Sequence, residues 1–217
     1  MAAHFLAEPQ TLPGWFGKLP GIGDFAHRRL PADFREAWDG WLQEGLMQLR
    51  LRHESDWRER YLEGPLWFFV LAPGVADGQA WVGVMMPSVD GVGRYFPFTV
   101  AAALQGTKPA AAEWPALLAW WQGGAQAALQ ALEQDLDAAA FDALLATVFG
   151  RNESLVEGGD APAWPTHGQS LWLTHPEAGA AAGAPALTAA GLPRGARFDL
   201  LFGFDDRSEG SLPEAAP

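Results

Sequence analysis

Of the six serines in the chain, Ser88 has the neighbours that catalysis would need. It lies in Met86-Pro87-Ser88-Val89-Asp90-Gly91-Val92-Gly93-Arg94-Tyr95-Phe96-Pro97, just after an apolar run. A serine leaving a strand beside a carboxylate and a guanidinium is a candidate nucleophile if the fold delivers a base. His27 and His53 are the candidates for that base. This gives one reading, a small hydrolase. The same residues also suit a plain turn. Asp90 in a glycine-rich connection can accept from nearby backbone amides, Ser88 can do the same, and Arg94 can pair with Asp90. The turn needs only residues already present in the segment.

Other chemistry has less support. The chain has no cysteine, which excludes disulfides, thiolate metal sites and thiol catalysis. His4, His27, His53, His167 and His175 never stand three or four residues apart. A zinc site needs three or four convergent ligands, so no metal is expected. Gly21-Ile22-Gly23 has two glycines and follows Lys18, which suits a turn and not a phosphate cradle. No nucleophile elbow, P-loop or dinucleotide fingerprint occurs, and no cofactor is expected.

Charge is uneven. The net charge is −12, from 26 acidic and 14 basic residues. Residues 14–63 hold 8 basic and 9 acidic side chains, whereas 111–217 hold 4 and 14. A general nucleic-acid binder is disfavoured, because it needs a basic face. The dense cations are Lys18, Arg28, Arg29, Arg35, Arg50, Arg52, Arg58 and Arg60. Interspersed with acids, they also suit a solvated helix face. No run of about 20 apolar residues is free of charges or breakers, so no membrane helix is expected. The N-terminus has no basic region and makes a poor signal peptide. These features give the expectation of a cytoplasmic protein.

The elements that would position these residues follow from periodicity. Residues 15–18 form a short candidate strand, closed by Leu19-Pro20 and a turn. A helix follows, with Pro31 in its first turn and Asp33 and Glu36 at capping-box spacing. Its stripe is Phe34, Trp38, Trp41, Leu42, Gly45, Leu46 and Leu49. Ser55 can cap a second, short helix that Gly64-Pro65 stops. Residues 66–71 and 81–86 are continuously apolar, which means a sheet covered on both faces. A third strand is expected at 95–100, with Pro97 at an edge or bulge. Helices are expected at 113–133 and 138–149, and a strand at 170–174. Residues 198–204 are ambiguous between helix and strand. Residues 151–168 read as a connection and 176–186 as a loop. The result is one layered α/β domain over 1–204 with a mostly antiparallel or mixed sheet, and a flexible acidic tail at 205–217. The 11 tryptophans are expected chiefly in the core.

Several of these segments carry a resemblance. Gly14-Trp15-Phe16-Gly17-Lys18-Leu19-Pro20, Gly23-Asp24-Phe25, Arg28-Arg29-Leu30-Pro31, Phe34, Trp38-Asp39 and Trp41-Leu42 resemble the opening of the TagF (ImpM) family of type VI secretion-associated proteins. It continues through Pro65-Leu66-Trp67, Ala72-Pro73-Gly74 and 83–97, and thins to islands such as Ser170-Leu171-Trp172 and Gly191-Leu192-Pro193. The resemblance implies a single-domain three-layer α/β/α sandwich. It implies a bacterial cytoplasmic accessory protein that represses secretion post-translationally by binding an FHA-domain scaffold. It supplies no catalytic residues.

The expectation is therefore a non-enzymatic regulator. The expected partner-binding residues sit in the loops 21–29 and 87–94: Asp24, Arg28, Arg29, Asp90 and Arg94. The arginines would offer forked donors to carboxylates or a phosphothreonine. The same charges can equally tie the loops together. A small-ligand sensor is the third reading, and it needs an apolar pocket of roughly 300–1,000 Å³.

Overall fold

The computed structural model describes residues 5–8, 11–150, 159–178 and 186–204. Seven strands form one sheet in the order β2-β1-β5-β4-β3-β6-β7, and every pairing is antiparallel. The strands are β1 (Gly14–Gly17), β2 (Ala26–Arg28), β3 (Trp67–Leu71), β4 (Trp81–Met86), β5 (Phe98–Ala103), β6 (Gln169–Leu173) and β7 (Ala186–Ala190). The helices are α1 (Ala32–Arg52), α2 (Trp57–Glu63), α3 (Trp114–Glu133), α4 (Ala138–Phe149) and α5 (Ala196–Leu200).

The central strands are apolar at every position because successive side chains enter different clusters. Trp67, Phe69 and Leu71 join one cluster with residues of α1, α2 and α5. Phe68 and Val70 join the other with residues of α3 and α4. In β4, Trp81 and Met85 go to the first cluster and Val82, Val84 and Met86 to the second.

Helix α1 buries the expected stripe. Trp38 and Trp41 are 0% and 3% exposed. Trp38 stacks near Phe69 and Trp172, and its Nε1 donates to Thr99 Oγ1 at 3.0 Å. Trp41 Nε1 donates to the Pro193 carbonyl at 2.7 Å. Each indole thus buries its ring without orphaning its N–H. Gly45 belongs to the stripe for a steric reason: a Cβ there would collide with the Phe198 ring of α5. Nine of the eleven tryptophans are buried, and Trp57 and Trp164 are the two half-buried ones.

Several elements differ from the sequence expectations. The third strand begins at Phe98, after Pro97, which cannot donate to a ladder. It runs on through Ala101–Ala103, where alanine gives little strand signal. Strand β2 falls in the 21–29 segment expected to be a loop, and β7 starts at Ala186, the last residue of the expected 176–186 loop, in a stretch with no assigned element. β2 is Ala-His-Arg and largely exposed, and its pairing with Trp15, Phe16 and Gly17 makes it a strand. Pro31 precedes α1 and no side chain caps that end, so Asp33 sits in the first turn without closing a capping box. Asp56, not Ser55, flanks α2. Of the ambiguous 198–204 segment, residues 198–200 end α5 and 201–203 form a turn, so it is not a strand. The acidic tail at 205–217 lies outside the described residues, as do parts of the 151–168 connection and the 176–186 loop.

Candidate functional site

Ser88 does not have a nucleophile's geometry. It is fully buried, and its Oγ donates to the Lys18 carbonyl at 2.7 Å. Its amide donates to Tyr61 Oη at 3.2 Å, and Tyr61 Oη lies 3.3 Å from the Ser88 carbonyl it donates to. Burial pushes the Tyr61 phenol well above its ordinary value, so it stays a neutral donor. Neither candidate base serves Ser88. His27 Nε2 faces Arg35 at 2.9 Å, and His53 Nε2 faces Asp199 at 3.2 Å. Partial burial, with the Arg35 guanidinium, lowers the His27 pKa. The hydrolase reading is withdrawn on these contacts. Among the described residues no group of three or more His, Cys, Asp or Glu could hold a metal ion.

Asp90 does what an Asx-type turn requires, and more. Its Oδ1 accepts from the amides of Val92 at 3.1 Å and Arg94 at 2.9 Å. Its Oδ2 accepts from Lys18 Nζ at 3.0 Å and Arg94 Nε at 2.6 Å. Burial raises the carboxyl pKa, but these four donors outweigh it and hold the group far below the usual carboxylate range. Arg94 Nη2 then donates to the Gly23 carbonyl at 2.7 Å and lies 3.9 Å from Asp24. One buried carboxylate therefore locks the 87–94 loop onto the 21–25 loop. The buried Lys18 ammonium also lies 4.5 Å from the Phe25 ring centre, within cation–π range.

Arg28 and Arg29 do not join this network. Both reach Asp142 on α4, at 3.0 and 2.6 Å, and Trp15 Nε1 donates to the same carboxylate at 2.9 Å. Burial works against these donors, which still leave the Asp142 carboxyl below its ordinary range. Arg29 holds a left-handed φ of 59°, and its Nε donates to the Pro13 carbonyl at 3.0 Å. The five expected binding residues thus split into an Asp24–Asp90–Arg94 group and an Arg28–Arg29 group.

The Asp90 network buttresses one wall of an open groove of about 1070 Å³. The other wall is a strip of α1 running from Gly40 through Met47 to Leu51, with Glu54 just beyond the helix's end. Phe25, Met47 and Leu51 face it while 46%, 53% and 63% exposed. At one end Trp57 lies beneath two guanidinium groups, with Arg50 and Arg58 at 4.5 and 5.7 Å from its ring centre. Edge contacts with Tyr61 and Tyr95 fix the indole. Phe25, Met47, Leu51 and Trp57 were not among the expected site residues. The signal for two of them was in the sequence: Met47 and Leu51 are apolar positions of α1 that its buried stripe leaves out.

No described helix is long and apolar enough to cross a membrane. No curated protein matches the sequence. The crystal structure of PA0076 from Pseudomonas aeruginosa PAO1 is similar over 94% of this chain and 98% of its own, with a TM-score of 0.68 and 30% sequence identity. The pattern of the TagF N-terminal domain, type VI secretion system-associated, matches residues 14–148. That span contains the whole Asp90 network and both walls of the groove. The chain therefore belongs to the TagF family, accessory proteins of the type VI secretion system.

Proposed function

We propose that the protein is a cytoplasmic, non-enzymatic repressor of type VI secretion that acts by binding an FHA-domain scaffold protein. The observation that carries this is the groove beside α1, where exposed apolar side chains and the Arg50 and Arg58 guanidinium groups face a loop wall held by the Asp90 network. A binder of this kind represses by favouring its partner's inactive arrangement or by covering a surface another protein needs. Family membership supports the choice of system, and the buried, occupied Ser88 removes the specific hydrolase alternative. Arg94, on the groove's loop wall, and Asp24, 3.9 Å from it, are the expected residues we retain for the interaction. We read the two apolar clusters, one on each sheet face, as the interior of a three-layer α/β/α sandwich.

The test is affinity capture from the native bacterium with wild-type protein and with Arg94→Ala and Met47→Glu variants. Capture of the FHA scaffold by wild type, reduced in both variants with unchanged melting, is the expected result. Failure of wild type to capture it removes the reading.

A further inference from the structure

The groove has a polarity at odds with the rest of the chain. The protein carries a net charge of −12. Arg28, Arg29, Arg52, Arg60, Arg94 and Arg194 each pair with a carboxylate. Arg35, Arg50, Arg58 and Arg197 pair with none among the described residues; Arg35 faces His27 and Arg197 the Thr188 carbonyl, and of the four only Arg50 and Arg58 line the groove. Both lie instead against Trp57, and Arg50 makes only a long 3.4 Å bond to the Tyr95 carbonyl. Of the carboxylates in the groove's wall, Glu44 is held by Arg194 at 2.7 Å, which leaves Glu54 against the two arginines.

Shape adds a second constraint. From Gly40 to Leu51 the α1 wall runs roughly 17 Å at about 1.5 Å per residue. That is the length of about five extended residues or three helical turns. Apolar side chains recur along it, and the cations cluster at the Trp57 end. A compact metabolite would leave most of the trench empty, whereas a polypeptide fills it with anchors spaced along its length.

We infer that this groove docks an acidic segment of a partner protein, with a large apolar side chain against Phe25, Met47 and Leu51 and carboxylates on Arg50 and Arg58. The inference rests on the reading that the protein works by binding another protein. It names the surface and the chemistry of the segment that surface accepts. The stacked guanidinium groups are pre-set for this: Trp57 holds their planes while their outer N–H edges stay available.

The experiment is panning of a phage-displayed library of random 12-residue peptides on the full chain, followed by fluorescence-polarisation affinities for the enriched peptides. Enrichment of sequences that combine Asp or Glu with Leu, Phe or Trp is expected. Binding should weaken at least about ten-fold in Met47→Glu and in the Arg50→Ala/Arg58→Ala double variant, and stay unchanged in Leu129→Glu, an exposed apolar position on α3. Thermal melts of each variant separate lost binding from lost folding. No enrichment, enrichment of non-acidic peptides, or equal binding to the variants would overturn the inference. So would arginine-dependent binding to phosphatidylglycerol vesicles without peptide binding. Groove-dependent peptide binding with no capture of the FHA scaffold would remove the reading above and leave this one standing.

Discussion

Helix α1 carries apolar side chains on two faces, and the two have different fates. Inward, Phe34, Trp38, Trp41 and Leu42 are buried against the sheet and α5, with both indole N–H groups satisfied. Outward, Met47 and Leu51 are more than half exposed along the groove. The inward face obeys the helical period and is explained by the core. The outward pair breaks the period, and nothing in the described fold covers it. One such residue would be ordinary, but Met47 and Leu51 line one groove with Phe25, and a contiguous exposed apolar patch points to recognition.

The largest effect expected lies on the inward face. Trp38→Ala should lower stability by about 3–5 kcal/mol through lost transfer energy and a residual cavity. Against a typical total of about 5–15 kcal/mol, that leaves a marginal protein. Urea unfolding is the measurement, and a near-wild-type midpoint would place Trp38 outside the core. Next comes the wall opposite α1. Asp90→Asn strands a buried ammonium, Lys18, at a cost of about 3 kcal/mol. Because the native Asp90 pKa is depressed, its contribution is complete above its unfolded value, about 4, and is lost as pH falls through the native value. Wild type should therefore destabilise below about pH 4, and Asp90→Asn less steeply. Asp142 is depressed in the same direction, so the slope shrinks but does not vanish.

A smaller effect separates the two arginine groups. Asp142→Ala removes the acceptor of the buried Trp15 indole and should cost about 1–2 kcal/mol while leaving groove binding intact. A loss of partner capture in that variant would put Arg28 and Arg29 back into the interface. Smallest of all on stability are Met47→Glu and Leu51→Glu, expected within about 0.5 kcal/mol of wild type in melts. The contrast between the faces is sharpest if these two nevertheless abolish capture. A large loss of stability instead would show that the outward pair is structural.

The sequence made the local physics visible and the distant pairings invisible. The α1 stripe and the apolar runs of β3 and β4 were legible because their periods are complete within one element. The Asx-type bonding of Asp90 was legible because the amides that donate to it lie within four residues. Strand β2 was not, since three polar-leaning residues become a strand only through pairing with β1. The cap of α4 was overlooked as well: Asp137 accepts from the amides of Ala139 and Ala140. The partner of Arg29 is 113 residues away, which no local pattern reveals. The groove needed two such distances at once, because its walls come from α1 and from the 93–96 loop.

The order of strands also sets a schedule. β6 joins β3 with Trp172 opposite Phe69, across roughly a hundred residues of chain. During synthesis, β1 through β5 can assemble while β6 is still to come. In that interval β3 has an open hydrogen-bonding edge, and Trp38 and Trp41 lack the Trp172 ring that later packs on them. An uncovered edge beside exposed indoles is a template for pairing with another nascent chain. The last strands thus act as a late closure of that edge.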